Sequence, residues 1–185
     1  MASLPAGPYV AVIRAVKLDG QEPNKALILR VDVSEGEHAG YFQKRYDNDK
    51  ERSKGNYEVR YKGDFKLWVP VNDDESKQNL GRIRDFNDAI FKLEKDNPGY
   101  HWDWNEQGLV GLTVGINMQE REYNGMPFTA IGRLESAEDV RAGIVAPMRP
   151  KQASTVPNSG NDGYTKVEEE LPWDDKPKAP ANPWF

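Results

Sequence analysis

The sequence contains no cysteine and only two histidines, His38 and His101. The lack of cysteine excludes disulfide bonds, thiolate metal sites and a cysteine nucleophile. A histidine-based metal cluster or a Ser-His-Asp triad would have to use one of the two histidines, and neither lies in a recognisable motif. The sequence therefore predicts a protein that needs no metal ion and no other cofactor.

Long apolar runs are also missing from the 185 residues. No stretch approaches the roughly 18 consecutive apolar residues that a membrane-spanning helix needs. Residues 1–7 carry neither the basic region nor the apolar region of a secretion signal. The sequence accordingly predicts neither membrane insertion nor secretion by that route.

Motifs of the common enzyme classes are absent as well. The sequence has no phosphate-binding loop, no dinucleotide-binding glycine motif, no paired-histidine zinc motif and no nucleophile elbow. Asp32, Glu35 and Glu37 lie close together, and a metal-dependent nuclease needs convergent carboxylates. Because Glu35 and Glu37 flank Gly36 in a predicted exposed turn, solvation explains them better than catalysis does. We therefore expect no enzymatic activity.

The composition changes sharply near Pro147. Before it, apolar runs alternate with turns rich in Gly, Asp and Asn, whereas the residues after it are rich in Pro, Ser, Asn and Gly and show no periodicity. Such a composition is typical of a disordered linker. The sequence therefore predicts one folded domain over residues 1–146, followed by a disordered linker and acidic tail over residues 147–185.

The first half of the domain has the alternation that is typical of strands. The clearest case is 26–33, in which Leu27, Leu29 and Val31 alternate with more polar residues. The other predicted strands are 9–18, 41–46, 57–61 and 65–69, with loops at 34–40 and 47–56.

One long helix and a hairpin follow. Residues 73–76 supply acidic N-terminal and capping residues, and Ile83, Phe86, Ile90 and Leu93 then recur at helical spacing until residues 97–99 stop the helix. Strands are predicted at 109–118 and 128–134, on either side of an Asn-Gly turn at 124–125, and a short helical turn at 136–141. This order favours an OB-fold, a five-stranded Greek-key barrel with a helix between its third and fourth strands. Another small α+β sheet is the alternative.

Residues 41–68 combine positive charge with aromatic rings. This segment has eight basic and five acidic residues in a chain of net charge −5, together with seven aromatic residues. Cations that follow phosphates and rings that stack on unpaired bases suit single-stranded nucleic acid. Strand alternation would send about half of the rings into the core instead. The predicted DNA-binding residues are Lys44, Arg45, Tyr46, Tyr57, Arg60, Tyr61, Lys62, Phe65, Lys66 and Trp68, joined by Tyr123 beside the Asn-Gly turn.

The tail carries large apolar residues among acidic ones. Exposed aromatic side chains in a segment without a core favour a short motif that docks to a partner protein. The predicted partner-binding residues are Trp173, Asp174, Asp175, Pro183, Trp184 and Phe185.

Five short motifs are spread over roughly residues 4–145. They are Leu4-Pro5-Ala6-Gly7-x-Tyr9, Glu35-Gly36-Glu37-x-x-Gly40-Tyr41-Phe42, Asn97-Pro98-Gly99-Tyr100-x-Trp102-Asp103, Leu109-Val110-Gly111 and Glu122-Tyr123-x-Gly125. In these motifs the chain resembles a family of phage-encoded single-stranded DNA-binding proteins. The plan of an OB-like domain, a linker and an acidic tip ending in Pro and aromatic residues is also similar to bacterial single-stranded DNA-binding proteins. There the acidic residues directly precede the end, whereas here Lys176 and Lys178 intervene.

The resemblance implies a non-catalytic protein that coats single-stranded DNA without sequence preference during phage DNA replication or recombination. It also implies that the protein acts in the cytoplasm of the bacterial host and recruits replication or recombination proteins through its tail. A homo-oligomer is compatible with this role. The alternative is an adaptor or recombination accessory protein whose OB-like domain binds protein, because this fold hosts both functions.

Overall fold

The first strand organises the sheet, because it pairs along both of its edges. The computed structural model describes residues 3–72 and 74–151. The strands are β1 (Gly7–Asp19), β2 (Ala26–Val33), β3 (Asp64–Trp68), β4 (Thr113–Tyr123) and β5 (Met126–Glu135), and the helices are α1 (Tyr41–Ser53), α2 (Lys77–Asp96) and α3 (Ala137–Arg141). All strand pairs are antiparallel, in the order β3-β2-β1-β4-β5. The prediction of a mainly β fold is confirmed.

The sheet is open where a barrel would close. β3 and β5 form its two edges, and no backbone pairing joins them within the described residues. The strand order is that of a five-stranded Greek-key barrel opened between its third and fifth strands. The two edges nevertheless line the same cavities, and this arrangement creates the groove described below.

The core follows from the alternation along β2. Leu27 lies opposite Leu67 of β3, and Leu29 lies opposite Phe65, so these side chains share the inner face of the sheet. The next two alternate residues, Val31 and Val33, are also fully buried. On the opposite face of the same pairing, Ile28 lies opposite Lys66 and Arg30 lies opposite Asp64, so this face carries charged side chains of both strands.

The prediction of a strand at 41–46 and a loop at 47–56 is wrong, since most of this segment forms α1. Gly40 precedes the helix with a φ of 73°, which glycine adopts at little cost. The buried Asp32 carboxylate accepts a hydrogen bond from the Phe42 N–H at 2.9 Å, and it thereby satisfies one of the unpaired donors of the first turn. Tyr41 and Phe42, at the start of the helix, are its only buried apolar residues. The sequence of this segment therefore lacks the repeat of apolar residues every three to four positions by which a helix is recognised.

The predicted helix between the third and fourth strands is confirmed as α2. The Ser76 hydroxyl caps it by accepting the Asn79 N–H at 3.2 Å. Phe86, Ile90 and Leu93 form its buried stripe. The helix contacts β3, β4 and β5, so it covers the core next to the opening between the edge strands.

The hairpin prediction is also confirmed, with Asn124 and Gly125 both at positive φ between β4 and β5. β4 begins at Thr113, later than predicted, because residues 106–109 form a 3-10 turn. Residues 57–61, predicted as a strand, belong to no strand or helix. The short helix α3 follows its Ser136 cap as expected.

The chain remains attached to the sheet beyond residue 146. The Asn117 side-chain amide donates to the Ala146 carbonyl at 2.9 Å, and the Lys151 N–H donates to the Glu120 carbonyl at 2.8 Å. The predicted boundary between 146 and 147 therefore lies inside a segment that contacts β4. Residues 152–185, with all six predicted partner-binding residues, lie outside the described residues.

Candidate nucleic-acid interface

A cavity of about 420 Å³ separates the two edges of the sheet. Phe65, Leu67 and Trp68 of β3 line one side of it, and residues 130–132 of β5 line the other. Because this stretch of each edge strand has no strand partner on the cavity side, the opening is a consequence of the open sheet.

The opening continues in both directions along the edges. Towards α1, a cavity of about 230 Å³ shares Lys62 and Ala130 with the central one. Along α2, a cavity of about 510 Å³ shares Phe65, Asp85 and Gly132 with it. The three cavities therefore follow one another, and together they are called the edge groove.

Basic side chains outnumber acidic ones along the edge groove. Eight cations and three carboxylates line it, namely Arg45, Lys62, Lys66, Arg82, Arg84, Arg121, Lys92 and Arg133 against Asp64, Asp85 and Asp88. Ion pairs engage the cations at the two ends. Lys92 contacts Asp88 at 2.7 Å, for example, and Arg45 approaches Asp49 to 3.8 Å.

The central cavity holds the cations that have no such partner. Within residues 3–72 and 74–151, no carboxylate lies within 4.0 Å of the charged nitrogens of the four cations there, Lys62, Lys66, Arg82 and Arg121. Both carboxylates of this cavity are already paired with arginines that do not line it. Asp64 accepts two hydrogen bonds from Arg30, at 2.9 and 3.0 Å, and Asp85 pairs with Arg84 at 2.9 Å. The centre of the groove is therefore positively charged.

The Arg30–Asp64 pair neutralises one of the two carboxylates of the central cavity. The hydrogen bond from Arg30 to Asp64 raises the pKa of the guanidinium above its ordinary value, although partial burial opposes this shift. Because an arginine is protonated at any physiological pH, Arg30 offsets the charge of Asp64 beside the two lysines of the central cavity.

Trp68 places a partly exposed ring beside these cations. Its side chain is 37% exposed, the Lys66 Nζ lies 4.1 Å from the ring centroid, and the Arg82 guanidinium carbon lies 4.9 Å from it. Arg82 also donates to the Pro23 carbonyl, which fixes the guanidinium next to the ring. Both distances are short enough for cation–π attraction. The site thus combines a flat ring with two cations.

Arg121 reaches the groove from β4. Its Nη2 donates to the Ile131 carbonyl at 3.3 Å, whereas its buried Nε has no acceptor among the described residues. Leaving a buried donor of a charged group unpaired is unfavourable. The guanidinium of Arg121 thus adds a positive charge to the central cavity without a carboxylate partner among the described residues.

Comparison with known proteins assigns no function to the groove. A scan of protein-family models and a search of curated proteins find no match to this chain. Within the part of the chain that the structure describes, no group of three His, Asp or Glu side chains is arranged to hold a metal ion. No helix among these residues is long and apolar enough to cross a membrane.

The structure brings together five of the eleven predicted DNA-binding residues. Lys62, Phe65, Lys66 and Trp68 line the central cavity, and Arg45 lines the adjoining one. Phe65 packs partly against the core, so only a portion of its ring faces the cavity. The basic and aromatic character of 62–68 thus coincides with the groove.

Tyr61 is a core residue instead of a base-stacking surface. It is buried, and its hydroxyl donates to the Val31 carbonyl at 3.2 Å. Burial raises the pKa of this phenol well above its ordinary value. Tyr46 lies 5.8 Å from Tyr61, centroid to centroid, and packs against the same core. Strand alternation does not explain these two positions, because neither residue lies in a strand.

The remaining predicted residues do not line the edge groove. Tyr57 and Arg60 are exposed and line a further cavity of about 320 Å³, which adjoins the groove at Lys62. Lys44 turns back to donate to the Ala39 carbonyl at 2.8 Å. Tyr123 is exposed at the tip of the hairpin.

Sequence reasoning missed Arg82 and Arg121. Arg82 lies on a helix whose apolar stripe shows only which side is buried, and nothing local links it to β3. The strand partner of Arg121 could have been predicted, because the Asn-Gly turn fixes the register of the hairpin and thereby places Arg121 opposite Phe128. Its position beside the distant Lys62 and Lys66 required the sheet order.

Proposed function

We propose that this protein binds single-stranded DNA along the edge groove, without catalysis and without sequence preference. The observation that carries the proposal is the centre of the groove, where four cations without a carboxylate partner among the described residues lie beside the partly exposed Trp68 ring. Phosphates would contact the cations, and an unpaired base would stack on the indole.

The residue types favour sequence-independent binding. Lysine and arginine recognise phosphates, which every nucleotide carries, and a ring stacks on any base. A base in a duplex presents its flat face to its neighbours and not to a protein side chain, so the use of Trp68 favours a single strand. Because the whole chain has a net charge of −5, the positively charged groove, and not the protein surface in general, would attract the DNA phosphates.

The resemblance to phage single-stranded DNA-binding proteins extends this proposal to a biological setting. Under it, the protein coats single-stranded DNA during phage replication or recombination in the host cytoplasm. Its tail recruits replication or recombination proteins, with Trp173, Trp184 and Phe185 as the apolar contacts. A homo-oligomer on DNA is compatible with this role.

Salt dependence tests the proposal most directly. If all four central cations contact phosphates, the logarithm of the affinity for oligo-dT should fall with the logarithm of salt concentration with a slope of about −2.8. Replacing Lys62, Lys66 or Arg121 singly by glutamine should make the slope shallower by about 0.7. Lys50→Gln is the matched control, because this exposed lysine of α1 lines none of the three cavities.

Fluorescence anisotropy with labelled oligo-dT gives both the affinity and the slope. The proposal fails if the three groove variants keep the wild-type slope, or if Lys50→Gln changes it equally. Parallel titrations with oligo-U and with duplex DNA identify the preferred strand, and tighter binding of the duplex would contradict the proposal.

A further inference from the structure

A further cavity, of about 460 Å³, lies on the side of α2 away from the edge groove. Its walls are mostly apolar and include Val71, Leu80, Ile83, Phe86, Trp102 and Trp104. It shares no lining residue with the edge groove. This cavity is called the aromatic pocket.

The rim of the aromatic pocket exposes unusually large apolar side chains. Trp104 is 67% exposed and Leu80 is 55% exposed. Trp104 stacks on Phe86 with ring centroids 5.9 Å apart and an interplanar angle of 13°. Its φ of 65° is unfavourable for a bulky residue, so the backbone at Trp104 has this conformation at an energetic cost. Strained, exposed aromatic residues of this kind are typical of binding sites.

A third aromatic ring supports the wall of the pocket. The Trp102 ring packs edge-on against Phe86, with centroids 5.9 Å apart, and lies 5.7 Å from the Trp104 ring. Three aromatic rings therefore lie side by side along this wall, and these surroundings fit a ligand that carries a bulky apolar group.

The charge of the pocket is opposite to that of the groove. Among its described lining residues, Asp74 and Glu75 are charged, and no lysine or arginine is present. The Asp74 carboxylate is held by the Ser76 N–H and hydroxyl at 2.9 and 3.1 Å, whereas Glu75 is exposed. The carboxylates would repel phosphates and attract lysine or arginine.

We infer that the aromatic pocket binds a short basic peptide segment of a partner protein. One bulky apolar side chain of the segment would enter between Leu80 and Trp104, and flanking lysines or arginines would lie near Glu75. Apolar anchors surrounded by charge are the usual means by which short segments bind folded domains.

Occupation of the pocket does not require the groove to be empty. On α2, Leu80 and Ile83 face the pocket, whereas Arg82 and Asp85 face the groove. The two sites therefore lie on different sides of one helix. A partner protein bound at the pocket can remain bound while the groove holds a nucleic acid.

Selection from a random peptide library tests the inference directly. Immobilised full-length protein is panned with a 12-residue library, and enriched peptides are titrated by calorimetry. We expect an enriched class with one bulky apolar residue flanked by lysine or arginine. Trp104→Ala should weaken its binding about tenfold, and Glu75→Lys should weaken it by a similar factor.

Phe91→Ala is the matched control variant, because Phe91 is an equally exposed aromatic residue of α2 that does not line the pocket. The Phe91→Ala variant should bind the peptide with an affinity within about twofold of that of the wild type. Saturating oligo-dT should likewise change the peptide affinity of the wild type by no more than about twofold. The inference is overturned if no basic-apolar class is enriched, or if Trp104→Ala and Phe91→Ala have equal effects. Competition by oligo-dT would also overturn it, as would Trp104-dependent dimers in sedimentation velocity, which would identify a second copy as the occupant.

Discussion

Replacing Trp68 by alanine separates stacking from charge in the proposed DNA site. Alanine substitution of a ring that stacks on a base costs about 1–3 kcal/mol. The Trp68 side chain is only 37% exposed and two cations already lie beside it, so the lower end of this range applies. We therefore expect a loss of about 1 kcal/mol, or about fivefold in affinity for oligo-dT. The salt slope should not change, because no charge is removed.

The assay is anisotropy with labelled oligo-dT at several salt concentrations, with circular dichroism to establish that each variant is folded. Trp68→Phe should recover most of the affinity, since phenylalanine retains a stacking ring. Trp104→Ala is the matched tryptophan control on the other side of α2 and should bind DNA like the wild type. Full affinity in folded Trp68→Ala would refute the stacking role, and a shallower salt slope would show that the ring acts by positioning Lys66 and Arg82.

Three further predictions concern stability and the extent of the binding domain. Gly63→Ala should destabilise the fold by roughly 1–3 kcal/mol in thermal or chemical unfolding, because the new Cβ would lie 2.8 Å from Phe42 Cγ in the core; an unchanged midpoint would contradict this. Hydrogen bonds from Arg141 lower the pKa of Glu35 in the folded protein. The ion pair should therefore stabilise the fold fully at pH values above the pKa of Glu35 in the unfolded chain. This stabilisation should be lost as the pH falls through the lower pKa of Glu35 in the folded protein. Both side chains are about half exposed, so Arg141→Ala should lower the free energy of unfolding by less than about 1 kcal/mol at neutral pH and by nothing measurable in acid. An equal loss of stability at both pH values would be inconsistent with the ion pair. A chain truncated after Lys151 should keep or increase its oligo-dT affinity at low salt, since residues 152–185 hold six carboxylates and three lysines; markedly weaker binding would place part of the DNA site in the tail.

The sequence predicts those parts of the fold that depend on local patterns. Alternation in β2, the apolar stripe of α2 and the Asn124-Gly125 turn each involve neighbours along the chain. The helix α1 escapes prediction because it buries only its first apolar residues and a terminal serine, and it is positioned by Asp32 from another strand. Whether the sheet closes also depends on contacts between distant edges, which periodicity does not report.

The candidate site shows the same division. Lys62, Lys66 and Trp68 could be predicted because they are close in sequence and combine charge with an aromatic ring. Arg82 and Arg121 join them only through tertiary structure. Tyr61 was predicted to contact DNA because ring composition alone does not distinguish a core aromatic residue from an exposed one.

The position of β1 between β2 and β4 has a consequence for synthesis on the ribosome. Val12 of β1 pairs with Thr113 of β4, 101 positions later in the chain. At roughly 5–20 residues per second, translation leaves this edge of β1 without its partner for about 5–20 s. During that interval β1 exposes backbone donors and acceptors that a neighbouring nascent chain can pair with. Losses to aggregation should therefore arise mainly while the chain is being made, and protection of the emerging strand by a chaperone should raise the yield of folded protein.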